Sequence, residues 1–272
     1  MIHAAHGIVH GVTDVKIIDL WHRAAQSYET VVPYFEVMGE RMVELAALQP
    51  GERVLDIACG KGASLIPAAR AVGPAGVAVG IDIVSQMAEI AREALQAAGL
   101  THAEARVMDG EDMSFLDDSF DVALCGAGLA FVGMRPGLTE IARVLRPGGR
   151  MLASAPTGGG PQWNFFSELV SRFGLAPIPL DIPSSEQMDE LFEEAGLRDR
   201  VVHHESFHVD FPDEEAWWSW AWSHGQRWFL EQLSPQDAEA FKQAAFEHLR
   251  GFKTAEGIPL DQGYMVVSAI AH

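Results

Sequence analysis

The stretch Val54-Leu55-Asp56-Ile57-Ala58-Cys59-Gly60-Lys61-Gly62 constrains this chain more than any other. Val54 to Ile57 is a short apolar run, the mark of a strand buried on both faces. A turn of small residues follows, and then a helix-compatible run from Ala63 to Ala71. Strand, glycine turn and helix in that order build the nucleotide site of an open α/β sheet. The glycines let a ligand approach the backbone, and the helix N-terminus offers free N–H groups.

The ligand is narrowed by what stands around the turn. A dinucleotide site wants G-x-G-x-x-G, with pyrophosphate on the helix N-terminus. Gly60 and Gly62 supply G-x-G, but Leu65 stands where the third glycine would be. The Asp56 carboxylate just before the turn suits a cation or an ammonium group better than a phosphate. A second apolar strand, Val77 to Ile83, carries Asp82 about twenty positions past the glycines, where a carboxylate can grip ribose hydroxyls. Asp109 follows a third strand, Ala105 to Met108. The implied ligand has a ribose and an amine or cation, and no phosphate.

Five spaced motifs then resemble the class I S-adenosylmethionine-dependent methyltransferases: Val54–Gly62, Gly80–Ile83, Met108–Glu111, Asp118–Leu124 and Arg143–Met151. They cover roughly residues 40–155 in order. One departure is Ala58, where the family usually has glycine; alanine fits there with a negative φ. The resemblance implies a Rossmann-like α/β fold: a seven-stranded sheet in the order 3-2-1-4-5-7-6, the seventh strand antiparallel, with helices on both faces. It implies S-adenosyl-L-methionine as cofactor and S-adenosyl-L-homocysteine as product. It also implies cofactor contacts from Tyr28, Asp56, Ala58, Gly60, Asp82, Ile83, Met87, Asp109, Gly110, Glu111, Cys125 and Gly126, with Asp109 and Gly110 at the adenine.

Composition limits the partners. The chain has 272 residues, 48% of them hydrophobic, and suits one large α/β domain with insertions. A net charge of −19 with no Lys/Arg cluster argues against nucleic acid, acidic membranes and polyphosphates. No apolar run approaches the roughly 20 residues of a membrane span, and no signal-peptide pattern opens the chain. Two cysteines, Cys59 and Cys125, make no disulfide framework, so the expected location is cytoplasmic. His3, His6 and His10 could share a helix face, but no carboxylate or cysteine completes a metal set, and none is expected.

The sequence divides into an N-terminal helical lid (1–48) and a methyltransferase domain (49–272) with a helical cap inserted at about 212–259. Asp19 to Met38 reads as a helix broken by Pro33, followed by a helix from Gly39 to Ala47. Ser184 is the expected N-cap of a helix running to Ala195. Val201 to Phe211 and Tyr264 to Ala271 read as the last two strands. The segment between them holds Trp217, Trp218, Trp220, Trp222 and Trp228. On a helix, Trp218 and Trp222 share one face, and Trp217 and Trp220 another. One face can pack on the sheet and the other can line the cleft, so Trp218 and Trp222, with Trp163, are the expected substrate contacts.

These features point to transfer of a methyl group to a hydrophobic small molecule at oxygen, nitrogen or carbon, in the manner of natural-product and quinone-pathway enzymes. Candidate bases are His22, His203, His204, Glu205, His208 and His224. C-methylation of an isoprenoid or alkene through a cation is a second reading, since an aromatic face stabilises a cation by about 0.5–2 kcal/mol. A non-catalytic binding or assembly protein of the same fold is a third, as is a homo-oligomer at the level of assembly. Methylation of nucleic acid or protein is disfavoured: there is no basic stripe, and Leu124-Cys125-Gly126-Ala127 replaces the D/N-P-P-Y/F motif.

Overall fold

A computed structural model describes residues 15–180 and 183–272. The three N-terminal histidines lie outside them. Seven strands form one sheet: β1 Arg53–Ile57, β2 Val77–Asp82, β3 Ala103–Val107, β4 Phe120–Gly126, β5 Leu145–Gly158, β6 Leu197–Phe211 and β7 Ile258–Ala271. Their order is β3-β2-β1-β4-β5-β7-β6. β1 pairs in parallel with β2 and β4, and β7 runs antiparallel to both β5 and β6.

Alternation along the central strands splits the core into two layers. Val54, Val122 and Leu124 face one apolar cluster; Leu55, Ile57, Ala123 and Cys125 face the other. Helices cover both faces: α1 Val15–Ala24, α2 Tyr34–Ala46, α3 Leu65–Val72, α4 Ser85–Ala97, α5 Met134–Val144, α6 Phe165–Arg172 and α7 Ser185–Glu194. Each fully buried Val, Leu, Ile or Phe contributes about 1.5–3 kcal/mol. Three further helices, α8 Glu214–Ser223, α9 Arg227–Leu230 and α10 Pro235–Arg250, lie between β6 and β7 in sequence. No helix among the described residues is long and apolar enough to cross a membrane.

The expected helix over Asp19 to Met38 is instead two. α1 stops at Ala24, the chain turns, and α2 starts at Tyr34 with Pro33 in the N-cap position, then runs through Gly39. Proline is tolerated there because its missing N–H would have had no helical partner. Ser184 caps α7 as expected, and Gln187 reciprocates in a full capping box. β6 and β7 are longer than their apolar alternation suggests, because they pair with one another over 13 register positions.

Candidate active site

The chain reverses its direction of winding between β1 and β4, and a ligand crevice opens at the carboxyl ends of strands at such a point. Two adjoining cavities occupy it, of about 490 Å³ and 350 Å³. Both are in the size range of small-molecule sites. Tyr28, Phe35, Ala58, Gly60 and Gly126 border both.

The turn after β1 is built on left-handed backbone. Gly60 has φ 53° and Gly62 φ 96°. Ala58 has φ 54°, so the condition for an easy fit of alanine, a negative φ, is not met. Its side chain sits where Gly128 must be bare: a Cβ on Gly128 would lie 2.6 Å from that of Ala58. Asp82, at the end of β2, accepts the Gly60 N–H through Oδ2 and the Val84 N–H through Oδ1, both at 2.9 Å. Burial raises its pKa, against the pull of these two bonds and of His22. Asp82 is thereby fixed where both the glycine turn and the next loop meet the cavity.

Asp56 is 1% exposed, and neither carboxylate oxygen has a hydrogen-bond partner of good geometry, with only a weak pull from the Leu65 N–H. Burial, and then the charge of Asp82, push its pKa well above the ordinary carboxylate range. A buried unpartnered carboxylate beside a cavity is a demand for a donor. The ammonium group of S-adenosyl-L-methionine is such a donor, so the residues present fit this group. Elsewhere on the wall of the larger cavity, Asp109 accepts the Glu111 N–H at 2.9 Å, and a Cβ on Gly110 would press on Val132 and Ile57.

Most of the expected cofactor residues gather here. Tyr28, Ala58, Gly60, Asp82, Ile83, Met87, Asp109, Gly110, Glu111 and Gly126 line the larger cavity, and Asp56 the smaller. Cys125 does not: its side chain is fully buried in the core behind β4, and burial pushes the thiol upward. Strand alternation decides this, since Gly126 takes the cavity side.

The catalytic candidates separate more sharply. His203, His204, Glu205 and His208 lie along β6 and border neither cavity. Glu205 is bound to Arg41 at 3.1 Å, and His208 to Asp261 and Asp210 at 2.7 and 3.0 Å. His22 borders neither cavity. His224, at the end of α8, is 3% exposed and lines the larger cavity. Its Nδ1 is 2.7 Å from Ser223 Oγ and 3.0 Å from the Trp220 carbonyl; its Nε2 is 3.3 Å from Glu29 Oε1.

The tryptophan assignment is corrected. Of the α8 tryptophans, Trp220 lines the cavity. Trp217, on the same face, is buried against Trp163 and Phe165. Trp218 and Trp222 lean on one another, with Phe241 and Lys242 beside Trp218 and Arg227 over Trp222. Trp163 packs on Phe211 and Phe252, away from the cavity. Helical spacing identified the two faces but not which one the sheet would take. The residues not expected as site contacts include Trp21, Phe131, Phe166, Ile178, Phe229 and Glu29. The five apolar ones come from separate loops and helices, and no local pattern marks them.

Fold and site together define a methyl-transfer enzyme. The methyltransferase-domain family profile matches residues 54–149. Nocamycin O-methyltransferase from Saccharothrix syringae is 29% identical over 268 residues, covering 91% of this chain and 95% of that one. Aklanonic acid methyltransferase DauC from Streptomyces sp. (strain C5) is 36% identical over 170 residues, covering 60% and 77%. Geranyl diphosphate C-methyltransferase from Streptomyces coelicolor A3(2), solved with Mg²⁺, geranyl diphosphate and S-adenosyl-L-homocysteine, shares the fold. Its TM-score is 0.53 at 18% identity, covering 87% of this chain and 79% of that one. The chain belongs to the class I S-adenosyl-L-methionine-dependent methyltransferases.

Proposed function

We propose that this enzyme methylates an oxygen of a hydrophobic small molecule that carries no phosphate. The observation that carries this reading is the composition of the cavity wall. Beyond the cofactor residues the larger cavity offers Trp21, Tyr34, Phe35, Phe166, Ile178, Trp220 and Phe229, and among its described lining residues there is no Lys or Arg; Lys61 and Arg70 border the smaller cavity. Aromatic walls favour a flat, apolar acceptor; a diphosphate would find no counter-charge among them. The choice of oxygen is supported by similarity over nearly the whole chain to an O-methyltransferase.

In this reading Asp56 takes the ammonium group, Asp82 the ribose hydroxyls, and Asp109, Gly110 and Glu111 border the adenine. When bound, S-adenosyl-L-methionine supplies an electrophilic methyl group, whose C–S bond breaks toward sulfur as the bond to the acceptor oxygen forms, leaving S-adenosyl-L-homocysteine. The walls exclude water and hold the acceptor in line, and such positioning supplies several of the roughly 7–11 kcal/mol available from it. Both ring nitrogens of His224 are engaged, Nε2 by Glu29 and Nδ1 by Ser223 and the Trp220 carbonyl, so the pair holds the acceptor in place, and the acceptor hydroxyl loses its proton to solvent as the methyl group arrives. Burial raises the phenols of Tyr28 and Tyr34, so neither serves as a base near neutral pH.

The test is an acceptor panel with methyl-deuterated cofactor, read by mass spectrometry. Hydrophobic phenols, enols and carboxylic acids should gain one labelled methyl group, bound through oxygen. Labelling confined to geranyl diphosphate, to amines or to carbon would overturn the reading.

A further inference from the structure

Glu29 is a buried carboxylate that carries two loads. Its side chain is 6% exposed. Oε2 accepts the N–H groups of Phe35 and Glu36, at 2.9 and 3.1 Å, and so caps an α2 N-terminus that has no side-chain cap of its own. Oε1 faces His224 Nε2 at the end of α8, 195 residues away in sequence. The residue is also held at φ 59°, a left-handed backbone that a glutamate adopts only at a cost of about 1–2 kcal/mol. Strain kept beside a ligand cavity is a pointer to a role there.

What the two loads set is a wall. Tyr28, Phe35 and His224 cluster with their planes tilted 15°, 26° and 30° from one another and ring centroids Tyr28–His224 at 4.9 Å, Tyr28–Phe35 at 5.4 Å and Phe35–His224 at 5.6 Å. Tyr28 precedes Glu29 in the chain, Phe35 is tied to it by its N–H, and His224 by its ring. Ser223 completes the arrangement on the far side of the imidazole. Its hydroxyl can donate to Nδ1, leaving the proton on Nε2 for Glu29, or can donate to the Trp220 carbonyl and accept from a protonated Nδ1. His224 therefore keeps partners whether it holds one proton or two.

We propose that Glu29 is the positioning residue of this methyltransferase. One carboxylate keeps a proton on Nε2 of His224 and sets the Tyr28–Phe35–His224 wall against which the acceptor rests. The inference deepens the acceptor reading given above and rests on it for the role of the wall. The groups facing the pair are Tyr28, Tyr34, Glu36 and Lys61, and the Lys61 ammonium is occupied by the Tyr28 carbonyl at 2.5 Å.

Two measurements on the full chain test it. The first is long-range ¹H–¹⁵N spectroscopy of protein labelled at histidine nitrogen. In the wild type, His224 Nε2 carries a proton; in Glu29→Ala its two nitrogens move to the averaged shifts of an unrestrained ring. Gln has a single acceptor oxygen, so Glu29→Gln keeps one load and falls between the two. The second is binding of the uncharged fluorophore N-phenyl-1-naphthylamine in the presence of S-adenosyl-L-homocysteine. Glu29→Ala should weaken it at least tenfold and weaken S-adenosyl-L-methionine by a clearly smaller factor, since Tyr28 of the wall also borders the cavity of Asp56. His224→Phe keeps a ring but not Nε2, and should weaken the fluorophore similarly if Glu29→Ala does not fold. Unchanged ¹⁵N shifts in Glu29→Ala, or equal loss of fluorophore and cofactor, overturn the positioning role. A wild type that shifts on Glu29→Ala yet never binds the fluorophore overturns the acceptor reading instead.

Discussion

Ala58 in the turn after β1 and Asp56 near the end of that strand carry different kinds of stress, and both can be read out. Ala58 is held at φ 54°, where a side chain costs about 1–2 kcal/mol. Ala58→Gly removes that cost but gives back about 0.4–1 kcal/mol through a freer unfolded chain. The variant should be more stable by up to about 1 kcal/mol, seen as a rise of about 2–4 °C in Tm; a fall would mean that the Ala58 contact with Gly128 outweighs the strain. Asp56 is stressed electrostatically. Its folded-state pKa is raised, so protonation favours the empty folded protein, and this contribution is lost as pH rises through the folded value. Binding an ammonium group requires the ionised form, so cofactor binding should expel a proton over the pH range in which the raised pKa keeps Asp56 protonated, and the release should vanish above that range. Calorimetry in buffers of different ionisation enthalpy reads the release directly. Asp56→Asn should abolish the buffer dependence and weaken affinity at least tenfold; release that persists in the variant would place the proton elsewhere.

At the scale of elements, α8 decides what the cleft accepts. Trp220 and Trp217 share the inward face, and the sheet side takes Trp217 while Trp220 meets the cavity. Trp220 also touches Tyr34 and His224, at 5.5 and 4.8 Å. Trp220→Ala should therefore lower acceptor turnover by an order of magnitude or more with cofactor affinity unchanged. The Trp218→Ala/Trp222→Ala double variant, whose rings lie off the cavity, should leave turnover within about twofold and cost stability alone. Steady-state kinetics beside thermal unfolding separates the two outcomes. The same helix marks how far the sequence could be read. Strand order was legible only through the family resemblance, whereas the glycine turn and the carboxylates at the ends of β1 and β2 were legible because each depends on neighbours within a few residues. The choice between two tryptophan faces was not, because it is made by β6, α6 and α10. Glu29 was invisible for the same reason. A lone glutamate between Tyr28 and Thr30 has no pattern, and both its partners come from other elements. Cys125 fell on the wrong side of its strand because the expectation followed the motif and ignored the alternation that puts Gly126 at the cavity.

At the scale of the whole molecule the net charge of −19 acts on two quantities in opposite directions. Favourable pairs exist: Arg150 joins the end of α2 to the start of β1, bonding the Ala46 carbonyl and Glu52 at 2.8 Å each, and Arg143 ties Glu140 to the loop before β4. Such pairs, partly exposed, contribute about 0–1 kcal/mol each and weaken with salt. Nineteen uncompensated negative charges repel one another throughout the folded surface, and salt weakens this too, the screening length falling to about 3 Å at 1 M. Repulsion involves every excess carboxylate, whereas attraction involves only the paired ones, so its loss should dominate. Raising NaCl should therefore raise the Tm of the empty enzyme by a few degrees. S-adenosyl-L-methionine carries one net positive charge, and the carboxylates Asp82, Asp109 and Glu111 border its site. Its association should be steered by the same field, and its on-rate should fall with salt while stability climbs. Stopped-flow tryptophan fluorescence and thermal unfolding across one salt series measure both. Parallel salt trends in the two would show that the charge is spread as solubility alone and does not focus on the cleft.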